Sequence, residues 1–158
     1  MLINNKLKTF IAATLLTGAI SASARADDDE DHRPFAKNKV WQSECGECHV
    51  AYPPGMLPAA SWRVLMSGLN KHFGSDASLD KATVREISDF LEKNAGRRRH
   101  ESPPLLRITE TRWFIHEHDE IAERTWKNPR IKSPANCAAC HPGAESGNFN
   151  EHNIRIPK

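Results

Sequence analysis

The chemistry in this chain is concentrated in two short stretches, Cys45-Gly46-Glu47-Cys48-His49 and Cys137-Ala138-Ala139-Cys140-His141. Each is a complete C-x-x-C-H motif, and together they use all four cysteines. The spacing suits covalent attachment of haem. Two thiols so placed add across the two vinyl groups on one edge of a porphyrin, and the adjacent histidine lies under the iron as proximal ligand. Cys45, Cys48, Cys137 and Cys140 are therefore the expected attachment points of two haem c groups, with His49 and His141 as iron ligands. Other uses of paired cysteines fit less well. A single zinc held by the four thiolates leaves both following histidines unexplained, although histidine is only 8 of the 158 residues. A thioredoxin-like dithiol needs a βαβ context, and that pattern is absent.

The ligand on the opposite face of each iron separates an electron carrier from an oxygen binder or a peroxidase. Past the N-terminal leader described below, sulfur is offered by Met56 and Met66, and imidazole by His32, His72, His100, His116, His118 and His152. Between Pro58 and Phe73, the residues Trp62, Leu65, Met66, Leu69, His72 and Phe73 recur at helical intervals, which puts His72 on one face with Leu65 and Leu69. His72 is the expected distal ligand of the first haem. A core histidine bonded to a backbone carbonyl is the plain alternative, and Met66, on the same stripe, reads as core filler. For the second haem, a helix over 109–126 carries two candidates. His118 shares an apolar stripe with Phe114, Ile121 and Ala122, whereas His116 is flanked by Arg112, Trp113, Asp119 and Glu120. His118 is favoured, with His152 and His116 left open. The loop 52–58, stiffened by prolines, reads as support for the proximal side of the first haem, its carbonyls facing the other nitrogen of His49.

The elements that must position these groups are helices near 37–44, 58–73, 81–95 and 109–126, with no convincing strand, so the fold class is all-α. Val84, Ile87, Phe90 and Leu91 give the third helix a packing face, and Gly96 is its expected stop. Six phenylalanines and one tyrosine are a thin aromatic supply, so the porphyrins are expected to fill much of the interior. Trp41, Trp62, Trp113 and Trp126 are read as packing against porphyrin or core. Lys6 and Lys8, the apolar run Phe10 to Ile20 and the small residues Ala22 to Ala26 read as a secretory signal peptide over 1–26, too short for a membrane span. An acidic segment follows at 27–39, a first haem-bearing half at 40–100 and a second at 101–158. Arg97-Arg98-Arg99-His100 and Glu101-Ser102-Pro103-Pro104 mark the linker between the halves. With 22 basic against 20 acidic side chains, the charge is too balanced for a nucleic-acid footprint. Export points to the periplasm.

From Val40 to Lys158 the sequence resembles the periplasmic dihaem cytochrome c family. The likeness is carried by Cys-Gly-Glu-Cys-His-Val-Ala-Tyr-Pro-Pro-Gly at 45–55, Pro-Ala-Ala-Ser-Trp at 58–62, the segment 108–121, Asn-Cys-Ala-Ala-Cys-His at 136–141 and Ile-Arg-Ile-Pro at 154–157. The resemblance implies a low-potential electron-transfer protein with a class I cytochrome-like N-terminal half and a smaller helical haem domain after it. It also implies that each iron lies between two histidines, His49 with His72 and His141 with His118. The partners it implies are a small oxygen-binding monohaem cytochrome c and a membrane cytochrome b of the b561 type. Against a one-electron carrier stands a dihaem enzyme of peroxidase type, or a gas sensor, in which one distal ligand gives way. So short a chain leaves little polypeptide for a substrate pocket, and the carrier reading is preferred.

Overall fold

The computed structural model describes residues 36–97 and 103–158. The leader read at 1–26, most of the acidic segment and the boundary at 100/101 lie outside the described residues. Asn38 opens the first helix, α1 (Lys39–Gly46), its side-chain oxygen accepting from the Trp41 amide at 2.8 Å. α2 (Ala59–Ser67) starts directly after Pro58, and α3 (Lys81–Lys93) is capped by Asp80, which accepts from the amides of Ala82 and Thr83. These three helices pack on one another. Trp41, Leu57, Trp62, Met66, Ile87 and Leu91 form a common buried cluster, with Leu65, Leu69, Val84 and Phe90 packed around it. Met66 thus belongs to the core. Apart from two short α-helices in the second half, the other described residues are turns, short 3-10 segments and loops, with one isolated bridge between His72 and Ser75.

Two expected helices are shorter than their apolar periodicity implies. The segment 58–73 leaves α-helix at Ser67, whose hydroxyl donates back to the Val64 carbonyl at 2.8 Å, and Gly68 follows as cap. A 3-10 turn over Leu69–Lys71 then delivers His72. The segment 109–126 breaks into a 3-10 turn at Ile108–Glu110, α4 (Arg112–Glu117) and α5 (Glu123–Trp126). Thr111 causes the first break: its hydroxyl donates to the Ile108 carbonyl and accepts from the Phe114 amide, so it caps a new helix rather than continuing one. The second break falls where Glu117, Asp119 and Glu120 crowd the C-terminal end of α4, the end at which the helix dipole disfavours carboxylates.

The halves differ in how they are filled. Beyond residue 103 the buried apolar side chains among the described residues are Phe114, Ile131 and Ala144, a set too small to hold that half together by itself. In the first half the loop between α1 and α2 is fixed by backbone contact. The Gly96 amide donates to the Leu57 carbonyl at 2.9 Å. α3 ends at Lys93 with Asn94 as its cap, so Gly96 is not the helix stop. It is there because a methyl group at that position would overlap the Gly55 carbonyl. Gly96→Ala should therefore destabilise the holoprotein by about 1–3 kcal/mol through overpacking against a backbone that cannot easily retreat, measured as a lowered Tm with the haem content unchanged.

Candidate functional site

The first motif begins in the last turn of α1. Cys45 is half-buried there, its thiol pushed up to about 11 by burial and secondarily by the Glu44 carboxylate, while Cys48 is exposed. His49 follows, with its Nδ1 2.7 Å from the Val50 carbonyl. That contact corrects the expectation for the proline loop: its carbonyls do not serve His49. Pro54 takes the Trp62 indole N–H at 2.8 Å instead. The loop supports His49 through Tyr52, whose ring stacks on the imidazole at 4.7 Å and 16°. Facing His49 is His72, with ring centroids 6.2 Å apart and planes 23° from parallel. His72 is followed by Phe73, which has a left-handed backbone (φ 51°) and touches the imidazole edge-on at 4.9 Å. The Arg107 guanidinium lies 4.1 Å over the Phe73 ring, and its Nε is 3.6 Å from Glu110.

The second motif is wound into a 3-10 turn, Cys137–Ala139, and the His141 amide donates to the Cys137 carbonyl at 2.8 Å. Across from His141 lies His118, again with ring centroids 6.2 Å apart but with planes at 73°. His118 is the residue that ends α4. Its Nδ1 is 2.8 Å from the Phe114 carbonyl, one turn back, and its ring stacks on Phe114 at 4.1 Å, with Trp126 tilted beside it at 6.0 Å. Phe149 lies on His141 at 5.5 Å, and the His141 Nδ1 is buried without a hydrogen-bond partner. The C-terminal tail folds back to this motif through the Arg155 amide and the Cys140 carbonyl, 2.8 Å apart. His152, on that tail, is exposed. His116 projects outward, its side chain 81% exposed and 3.8 Å from Asp119. The ring opposite His141 is that of His118.

None of the four cysteines is paired in a disulfide, and among the described residues no three His, Cys, Asp or Glu side chains gather as an all-protein metal site would require. The arrangement instead consists of two facing imidazole pairs, each beside a pair of thiols. Metal–imidazole bonds of about 2 Å on both sides of an iron leave the ring centres roughly 6 Å apart, so the 6.2 Å found twice fits a haem iron between each pair. Burial holds His72 and His141 below the ordinary histidine range, the facing histidine adding to the effect in each case and Arg107 adding further at His72. A neutral imidazole keeps the lone pair that a metal needs. Neither Arg107 nor the Phe114 platform is marked as part of the site by local sequence spacing. Phe114 stood in the apolar stripe of His118 as a packing residue, and nothing in spacing brings Arg107 to Phe73.

An all-α chain with two C-x-x-C-H motifs, each brought against a second histidine, is a c-type cytochrome with two haems. The family model of dihaem cytochrome c matches residues 41–149. Among solved structures, a diheme cytochrome c from Shewanella baltica OS155 is 40% identical with a TM-score of 0.68, over 76% of this chain and 93% of that one. DHC from Rhodobacter sphaeroides is 44% identical with a TM-score of 0.65, over 73% and 99% respectively. Among curated proteins none matches. The chain belongs to the dihaem cytochrome c family; it binds two haem c groups, and its chemistry is haem-based electron transfer. One consequence concerns Arg107. A cation beside the first pair favours the reduced, less positive iron, so Arg107→Gln should make one of the two midpoint potentials more negative. Because the Arg107 side chain is 51% exposed, the shift should shrink as salt is added, which potentiometric titration at two ionic strengths would show.

Proposed function

We propose that the protein is an exported, periplasmic one-electron carrier whose two irons are each held between two histidines, His49 with His72 and His141 with His118. Cys45 and Cys48 would tether the first haem, Cys137 and Cys140 the second. The observation that carries this reading is the recurrence of one ring separation, 6.2 Å, in two sites of different local structure. When bound, haem supplies reversible one-electron reduction of iron. The chain's own contribution would be to hold each iron between paired imidazoles, His49 with His72 and His141 with His118, and to orient those rings. The Nδ1 groups of His49 and His118 meet backbone carbonyls, and an N–H donated in this way makes the ligating nitrogen more basic and favours the oxidised metal. With imidazole rather than thioether on both faces, the potentials are expected to lie below those of His/Met cytochromes. Such a carrier fits between a membrane cytochrome b of the b561 type and a small oxygen-binding monohaem cytochrome c, the partners that the sequence resemblance implies. No helix among the described residues is long and apolar enough to cross a membrane.

Carbon monoxide added to the reduced protein tests the carrier reading: the spectrum should not change, whereas prompt binding at one haem would mark an enzyme or a gas sensor. His72→Ala and His118→Ala should each convert one haem to a high-spin, ligand-accessible form, while His116→Ala and His152→Ala leave both low-spin. Ring geometry adds a sharper expectation for electron paramagnetic resonance of the ferric protein. Near-parallel axial imidazoles give a rhombic low-spin signal and near-perpendicular ones a strongly anisotropic signal, so the 23° and 73° pairs should produce one of each. His72→Ala should abolish the rhombic signal and His118→Ala the anisotropic one. Two identical signals would contradict the assignment.

A further inference from the structure

Tyr52, the one tyrosine in the chain, touches both sites. Its ring stacks on His49, and its hydroxyl donates to the Ala135 carbonyl at 2.7 Å, across 83 residues of sequence. Ala135 stands two residues before Cys137. The turn that presents this carbonyl is itself fixed. The Ala135 amide donates to the Ser133 hydroxyl at 3.1 Å, the Asn136 amide to the Ser133 carbonyl at 2.9 Å, and the Asn136 side chain to the Ile131 carbonyl at 3.0 Å. Ile131 is fully buried. The plane of the His49 imidazole is thus set from two directions, by the Val50 carbonyl at Nδ1 and by the Tyr52 ring along its face.

We propose that Tyr52 is a positioning residue through which the second site's turn governs the first site's ligand. Its hydroxyl, anchored on Ala135, fixes the tilt of the phenol ring, and the ring fixes the orientation of His49. The proposal rests on His49 being an axial ligand of the first haem, and it adds that this ligand's plane is decided at the far site. No electron or proton is taken from Tyr52 in this role. A phenol that merely filled space beside His49 would need no hydrogen bond, and an interdomain clamp would need no ring stacked on an imidazole.

The test uses the ferric holoprotein and two variants. Tyr52→Phe keeps the stack and removes the anchor; Tyr52→Leu removes both. In Tyr52→Phe the rhombic signal assigned to the first haem should shift its g-values, and that haem's midpoint potential should move with it, although the lost bond lies beside Cys137. Tyr52→Leu should shift the same signal further. If Tyr52→Leu fails to accumulate as holoprotein, Tyr52→Phe decides alone. A variant with a lower Tm but wild-type g-values and potential at the first haem would overturn the proposal, leaving Tyr52 a clamp. Failure of the underlying ligand assignment looks different: the wild-type protein would itself lack two low-spin signals.

Discussion

Two imidazole rings gain nothing from facing one another across several ångströms, so a polypeptide that holds two such pairs must support each ring from behind. The rest of the structure follows from how that is done. His49 is supported by its neighbour's carbonyl and the face of Tyr52, His118 by the carbonyl and ring of Phe114. In each pair one ring is therefore fixed by both a hydrogen bond and an aromatic platform. Its partner is fixed by the chain: His141 directly follows Cys140 in the second C-x-x-C-H motif, and His72 sits between a 3-10 turn and a left-handed Phe73. A side chain placed to within a few tenths of an ångström needs such support, because rotamer freedom alone would spread it over several positions.

The same division appears in the packing. α1, α2 and α3 share a core built around Trp41, Trp62, Ile87 and Leu91, and this core fixes the loop that carries Tyr52. The second half has few buried apolar groups among its described residues and is held by turns, by the Arg155 amide bonded to the Cys140 carbonyl, and by the Asn128 side-chain amide donating to the Pro157 carbonyl. A porphyrin held at Cys137, Cys140 and His141 would complete its interior and would couple folding of that half to haem attachment much as a structural metal does. The Tyr52 hydroxyl, bonded to Ala135, ties the less self-sufficient half to the better packed one.

What was legible in the sequence was the covalent chemistry, because C-x-x-C-H fixes atoms by adjacency alone and needs no knowledge of the fold. The all-α class was also legible from periodicity. Helix lengths were not: the apolar stripes through 58–73 and 109–126 continue past the points where Ser67 and Thr111 redirect backbone hydrogen bonds to their own hydroxyls. Helical phase still singled out His72 and His118, although neither belongs to a helix running on through it. The phase holds as far as the preceding turn, and the preceding turn is what each ring touches or follows. His116, two positions away, points to water. Residues that meet across the fold, such as Arg107 over Phe73 or Tyr52 on Ala135, leave no trace in local spacing.

The helix breaks are themselves part of the site. His72 closes the Leu69–Lys71 turn and His118 closes α4, so the histidines that face His49 and His141 both stand where helical backbone ends. That position serves a ligand in two ways. The terminal carbonyls of a helix have no amide of their own to accept from, and the Phe114 carbonyl uses its free capacity on the His118 Nδ1. The helix terminus is also the negative end of the backbone dipole, which would stabilise the positive charge shared by a metal and its imidazole if one were bound there. A histidine in mid-helix would have neither: its neighbouring carbonyls would be committed to the ladder, and its ring would lie along the helix surface rather than project beyond its end. Had α4 continued through Asp119 to Trp126, His118 would have kept its apolar neighbours and lost the carbonyl that orients it.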